Sequence, residues 1–410
     1  MADGPRMKVA FVFHRANYLK LYGPIIDAAL QRGWQVECWL HDVPMGDKDY
    51  LRVPPELISI QWGARVGVRQ FEQPADVARL NEQVRPNAII SLLPRSRYMA
   101  APGHERFLTL QYNVDTFTIA TLQEHLSSDY LCLYAPAWLD YAAQYYTQVS
   151  DTDAAAAAAQ LADKVVYTGF PQMDVFAHID REAVRARWAI PEGKKVVLAL
   201  PLDLMGWPGV WPAFFQSTGL SQLRHLLKGR KQPGFVRQYW PWALKGWNDT
   251  ALAEAIKQFA ERNNAVLLLK GREKDPIREA WRARAFLNFY DEQHYPATVH
   301  EAIAIADACI LFYSTAVQEA VYAGVPVVCI DRPNRDTVKH QLWRQAHLGG
   351  PYNFPGAVSW QSLPEAITTL PEQRLADLTM DAHAREEYLA RYNGPADHRA
   401  SERILDLVTA

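Results

Sequence analysis

The chain has 410 residues, of which 49% are hydrophobic and 21% charged, an ordinary globular composition long enough for two domains of about 200 residues each. Forty-three basic residues stand against 45 acidic ones, a formal net charge of −2, and no basic cluster is large enough to mark a nucleic-acid binder. No apolar run approaches the roughly 20 residues of a membrane span and no signal-peptide pattern opens the chain, so a cytoplasmic location is expected.

After a lead-in at Met1 to Arg6, Lys8 to Phe13 reads as the first strand. A helix follows over Tyr18 to Arg32, stopped by Gly33, and Trp34 to Leu40 is the next strand. Ile58 to Trp62 reads as a short strand, Asp76 to Gln83 as a helix, and Ala88 to Leu93 as a strand ending at Pro94-Arg95. Leu108 to Tyr112 and Tyr130 to Tyr134 are two further strands. Helix fills most of Ala137 to Ala162, with Asp151-Thr-Asp153 capping the alanine run Ala154 to Ala159. Lys164 to Tyr167 closes the series. Apolar strands separated by helices predict a parallel sheet covered on both faces.

Gly169-Phe-Pro-Gln-Met-Asp174 breaks the alternation and is the candidate hinge. The pattern then restarts with a strand (Lys195 to Leu200), a helix (Thr250 to Arg262), a strand (Ala265 to Leu269), a helix (Pro276 to Arg284) and a strand (Phe286 to Tyr290). A helix over Thr298 to Ala306 leads into a buried strand, Ala308 to Phe312, and a polar turn, Tyr313-Ser314-Thr315. A short helix stopped by Gly324 and the strand Val325 to Ile330 come next. Ala357 to Trp360 is a weaker strand, Pro364 to Thr369 a helix, and Pro371 to Arg391 and His398 to Val408 are the closing helices. The predicted fold class is α/β: two Rossmann-like domains facing across a cleft, 1–175 and 176–395, followed by a C-terminal helix, 396–410. Cys38, Cys132, Cys309 and Cys329 all fall in strand-like runs without metal-ligand spacing and read as buried hydrophobes in a reducing compartment.

An insert, 203–247, interrupts the second domain and is too long for an ordinary connection. It carries Trp207, Trp211, Trp240, Trp242 and Trp247 with the basic patch Lys228-Gly-Arg-Lys231. Three roles fit: stacking on sugar rings, peripheral contact with the inner face of a membrane, or a satellite core.

The polar turn places hydroxyls and free backbone N–H groups at a helix N-terminus beyond a buried strand, an arrangement suited to a phosphate or diphosphate. Tyr313, Ser314 and Thr315 are therefore phosphate-binding candidates, with plain N-capping as the alternative. Gln318 and Glu319, one turn on, are candidates for a sugar hydroxyl. Lys270 and Arg272 emerge at the carboxyl edge of the sheet, where their charge can neutralise phosphate or form a surface salt bridge. His14 and Arg15 follow the first strand; there the imidazole is a candidate general base towards an acceptor hydroxyl, or a structural histidine. Asp203 follows the first strand of the second domain as a candidate base, nucleophile or turn cap. Arg95 and Arg97 are candidate acceptor-side cations, Asp115 a weaker candidate, and His294-Tyr295-Pro296 reads as the first turn of the next helix. No Asp-x-Asp pair lies in a strand-end loop and no histidines cluster at ligand spacing, so no metal is expected.

Two such domains resemble the GT-B architecture of nucleotide-sugar transferases. Ser128-Asp129-Tyr130 and then Gly169-x-Pro171-x-x-Asp174 resemble the interdomain stretch of the CDP-glycerol glycerophosphotransferase-like group. Asp307-Ala-Cys-Ile-Leu-Phe-Tyr-Ser-Thr, running into a helix and Gly324-Val-Pro326, resembles the donor signature of that group. It also resembles the Ser-Ser/Thr motif of transferases that use CMP-activated sialic acid or Kdo. The tail Asp397-His-Arg-Ala-Ser-Glu-Arg403-Ile is similar to the closing helix of these proteins and of the UDP-N-acetylglucosamine 2-epimerases. Where these families often carry Lys-x-His-Pro, this chain has Lys270 and Arg272 with no proline, and arginine holds phosphate but is no general acid. The resemblance implies a metal-independent glycosyltransferase without a cofactor. It would move a sugar from a nucleotide donor, cytidine type favoured, to a glycan or lipid-linked acceptor in surface polysaccharide synthesis. Its rivals are a CDP-glycerol-type glycerophosphotransferase, a UDP-sugar 2-epimerase and a non-catalytic sugar-nucleotide or glycan scaffold.

Overall fold

Lys8–Phe13 (β1) is buried from Val9 onward, with Ala10 and Val12 turned to one core and Phe11 and Phe13 meeting the Tyr22 ring on the opposite face. A strand covered on both faces has no polar side, which is why its sequence runs apolar without alternation. The computed structural model describes residues 7–44, 49, 51–150, 153–201, 220, 224, 249–271, 277–291, 294–312, 314–330 and 350–410. Asp203, Arg272, Tyr313 and, apart from Leu220 and Arg224, the tryptophan-rich insert lie outside the described residues.

Packing divides the chain into two units. The first comprises Met1–His178, Glu292–Ala297 and Leu389–Ala410; the second comprises Ile179–Asp291 and Thr298–Tyr388. Expected boundaries at 175 and 395 compare with observed ones at 178 and 388, and 292–297 belongs to the first unit although it interrupts the second in sequence.

Besides β1, the first unit contains Gln35–His41 (β2), Val66–Phe71 (β3), Ala88–Ser91 (β4), Arg106–Leu110 (β5), Tyr130–Leu133 (β6) and Val165–Tyr167 (β7). Among the described residues these form one parallel sheet in the order β3-β2-β1-β4-β5-β6-β7. The expected strand at Ile58 to Trp62 is instead the end of a helix, Pro55–Trp62. Proline is compatible with its first turn, and the buried Ile58 and Trp62 lie four residues apart while Ile60 is 82% exposed, a helical spacing. The strand in this part of the chain is β3, whose mixed sequence VGVRQF gave no apolar run.

The second unit contains Lys195–Ala199 (β8), Ala265–Lys270 (β9), Leu287–Phe289 (β10), Ala308–Leu311 (β11), Val327–Ile330 (β12) and Val358–Gln361 (β13). They are again parallel, in the order β10-β9-β8-β11-β12-β13. Every second residue of the central strands (Val197 and Ala199, Leu267 and Leu269, Ala308 and Ile310) joins one core with Leu252, Ile256 and Phe259 of the helix Asp249–Arg262. The expected helix over Pro371 to Arg391 is shorter: two 3-10 turns, Leu370–Glu372 and Leu375–Asp377, precede Ala382–Tyr392. Among the described residues, the helix expected to reach Arg284 is Glu279–Arg282. Among the described residues, no helix is long and apolar enough to cross a membrane.

Two motifs distant in sequence interlock within the first unit. Asp174 accepts hydrogen bonds from the backbone N–H of Ala400 (3.2 Å) and Ser401 (2.7 Å), capping the terminal helix Ala400–Thr409. Arg403 donates to Thr168 O at 2.8 Å and pairs with both oxygens of Asp397. Gly169 and Gly394 let the two segments cross: both have positive φ, and a Cβ on Gly394 would lie 2.8 Å from the Gly169 Cα. The candidate hinge is thus packed into the first unit, where Pro171–Ala177 forms a largely buried 3-10 stretch.

Candidate functional site

In each unit the chain builds strands outward in one direction, returns to the centre and continues the other way. The order reverses between β1 and β4 in the first unit and between β8 and β11 in the second. Ligands of open α/β sheets bind beyond the carboxyl ends of the strands at such a reversal, where the flanking loops diverge. His14 and Arg15 follow β1, and Ser314 and Thr315 stand beyond β11. Both therefore occupy the expected places within their own units.

In the first unit the His14 ring lies among His41, Phe71 and Tyr98, with centroids 5.1, 5.5 and 5.8 Å away. Its Nε2 is 2.7 Å from the Tyr98 hydroxyl, which is itself 3.0 Å from Ser91 Oγ at the end of β4. Burial drives the His14 pKa down from 6.5 to about 4, and the charges of His41 and Arg15 act in the same direction. The imidazole is neutral at pH 7, but it is a weak base. Burial holds the Tyr98 phenol well above its ordinary pKa, so it keeps its proton. Tyr98 and Ser91 belong to no motif legible in the sequence, although Tyr98 lies just past Arg95 and Arg97.

Those arginines do other work. The Arg95 guanidinium is buried, with Nη2 2.5 Å from Asp129 Oδ2 and 3.6 Å from Glu105 Oε1, and Asp129 also accepts from the Phe107 N–H at 2.7 Å. This placement makes Arg95 a structural residue rather than an acceptor-side cation. Arg97 is half-exposed and pairs with Glu124 at 2.6 Å. Asp115 begins the short helix Asp115–Ile119. Tyr295 does not open the following helix; its hydroxyl donates to Asp27 Oδ2 at 2.6 Å, while Trp62 Nε1 donates to Asp27 Oδ1 at 2.7 Å.

In the second unit the helix after the polar turn is Ala316–Tyr322, and every one of its residues is buried. Gln318 and Glu319 therefore have no exposed face for a sugar hydroxyl; Glu319 Oε1 lies 3.7 Å from Nε2 of the buried His300. Contrary to expectation, the first N–H groups of this helix are not free. The N–H of Ala316 goes to Ser314 Oγ (3.3 Å), that of Val317 to Ser314 O and that of Gln318 to Thr315 O (3.0 Å each). The Ser314 and Thr315 side chains remain half-buried at the corner. Lys270 ends β9, two strand positions or about 10 Å from β11 across the sheet, and its Nζ donates to Gly271 O at 2.7 Å. Gly324, at φ +74°, ends the helix in a Schellman turn, with Val325 N bonded to Ala320 O and Gly324 N to Val321 O. Asp307 opens the strand at its opposite end, binding the Val196 N–H at 2.8 Å and Lys195 at 3.1 Å. Among the described residues no three His, Cys, Asp or Glu side chains group as metal ligands.

No family model and no curated protein sequence matches the chain. Solved structures do. A variant of the wall teichoic acid polymerase TagF is 13% identical over 99% of this chain and 89% of its own, with a TM-score of 0.58. A TagF variant soaked with CDPG has the same identity and coverage and a TM-score of 0.56. A Listeria monocytogenes protein assigned as a UDP-N-acetylglucosamine 2-epimerase is 11% identical over 99% of this chain and 96% of its own, at 0.53. At this identity the likeness establishes the fold alone. The chain has two parallel-sheet, Rossmann-like α/β domains of the GT-B kind.

Proposed function

We propose that the protein is a transferase whose second unit binds a nucleotide-activated donor and whose first unit binds the acceptor. The observation that carries this reading is the corner beyond β11 at the β8–β11 reversal, where the Ser314 and Thr315 hydroxyls stand on the same sheet edge as Lys270. Hydroxyl donors and an ammonium group can neutralise a donor phosphate and stabilise the leaving nucleotide. The acceptor, a glycan or lipid-linked saccharide, would meet the β1–β4 corner around His14.

Two donor classes follow. A CMP-activated sugar would make the protein a glycosyltransferase of surface polysaccharide synthesis. Transfer of a phosphate-linked group from a CDP-activated donor is the second reading, favoured by the likeness to TagF, one of whose structures was soaked with CDPG. Thermal shift against CMP-, CDP-, UDP- and GDP-linked compounds tests both. Stabilisation by a cytidine compound, lost in the Ser314→Ala/Thr315→Ala double variant, is the expected result. Stabilisation by none at millimolar concentration would overturn the transferase reading. Stabilisation by UDP-N-acetylglucosamine, with its epimer appearing in the absence of acceptor, would replace it with the epimerase.

A further inference from the structure

A directed chain of hydrogen bonds runs from β4 to His14. The Leu93 N–H donates to Ser91 Oγ at 3.0 Å, Ser91 Oγ lies 3.0 Å from the Tyr98 hydroxyl, and that hydroxyl lies 2.7 Å from His14 Nε2. Each hydroxyl has a single proton to give. Ser91 is fully buried and Tyr98 is 5% exposed. Among the described residues, Tyr98 is the one acceptor within reach of the Ser91 proton. A buried hydroxyl proton without an acceptor is strongly disfavoured. Ser91 therefore donates to Tyr98, which spends its own proton on Nε2. The opposite direction, with Nε2–H donating to Tyr98 and Tyr98 to Ser91, strands the serine proton.

We propose that Ser91 and Tyr98 are positioning residues that hold His14 as the neutral Nδ1–H tautomer, so that it presents an N–H donor to an oxygen of the ligand at the β1–β4 reversal. That oxygen belongs to a hydroxyl, carboxylate or phosphate, all of which accept from a neutral imidazole. The groups packed around the ring fit this state. Phe71 meets it edge-on, His41 lies beside it with its own Nε2 3.2 Å from Glu72 O, and Arg15 adds positive charge that disfavours a second proton. With its Nε2 lone pair engaged by Tyr98, His14 orients the ligand, and removal of an acceptor proton falls to another group. The ligand assignment rests on the transferase reading of this corner; the tautomer does not.

Long-range proton–nitrogen NMR of the full chain carrying labelled histidine tests the tautomer at pH 7, the His14 signals being those lost in His14→Gln. A protonated Nδ1 with an unprotonated Nε2 is expected. The reverse pattern, or two protonated nitrogens, overturns the proposal. Tyr98→Phe should return the ring to Nε2–H, and Ser91→Ala should weaken the bias; an unchanged Nδ1–H tautomer in both overturns the positioning role. Adding inorganic phosphate, acetate or glycerol should shift Nδ1–H. No shift with any of them overturns the ligand assignment while leaving the tautomer intact, and nucleotide stabilisation of the second unit is read separately.

Discussion

Arg95 Nη2 and Asp129 Oδ2 lie 2.5 Å apart beside the amino ends of β5 and β6, with the guanidinium side chain 3% exposed. Glu105, whose Oε2 accepts from Asn81 at 2.7 Å, is also buried against this pair. Removing the cation leaves carboxylates without their counter-charge. Arg95→Ala should cost about 3–5 kcal/mol in urea unfolding. Arg97→Ala, which breaks a half-exposed pair with Glu124, should cost under about 1 kcal/mol. Equal losses would show that burial does not set the difference.

The terminal helix should depend on a residue 226 positions earlier. Asp174→Ala removes the cap on Ala400 and Ser401, at a cost of about 1–2 kcal/mol. Amide exchange should accelerate first over Ala400–Thr409; acceleration spread evenly through the first unit would argue against a local cap.

Crossing backbones make a second, sharper demand. A Cβ on Gly394 would meet Tyr134 O at 2.5 Å and Gly169 Cα at 2.8 Å, whereas one on Gly193 meets open space; both residues have positive φ. Gly193→Ala should cost only the left-handed strain of about 1 kcal/mol. Gly394→Ala should lower the unfolding midpoint further, and an equal effect would place the cost in φ alone.

Acid should weaken the first unit through His14 and His125. Burial lowers His14 and His125 from 6.5 to about 4, so the unfolded chain binds more protons between those values. Stability is then full above pH 6.5, falls as pH drops towards 4 and levels off below. Each histidine contributes up to about 3 kcal/mol to that fall. His14→Gln should flatten the stability–pH slope in this window; a slope identical to that of the parent would remove His14 from the account.

Lys270→Met should reduce the thermal stabilisation given by a nucleotide diphosphate more than that given by the free nucleoside. Equal reductions would show that the lysine supports the strand end rather than a phosphate.

Reading the strands from sequence succeeded where both faces are buried, because β1, β4, β9 and β11 need uninterrupted apolar side chains. It failed for β3, a sheet-edge strand with exposed Arg69 and Gln70. Glycines at helix ends were equally legible, since Gly33 and Gly324 take a φ that side chains resist. The polar corner after β11 could also be found, but the direction of Gln318 and Glu319 could not. Polar residues on a seven-residue helix look alike whether they meet solvent or a buried His300.

Local chemistry along the chain specifies strands, helices and their stops, because those depend on neighbours a few residues away. It does not specify which strands become neighbours, and the two order reversals that mark the candidate sites exist only in the assembled sheets. Tyr98 meets His14 across 84 residues, and Asp174 caps a helix more than 220 residues later. Contacts of that range follow from how apolar faces pack, and packing, not spacing, aligns the polar groups they carry.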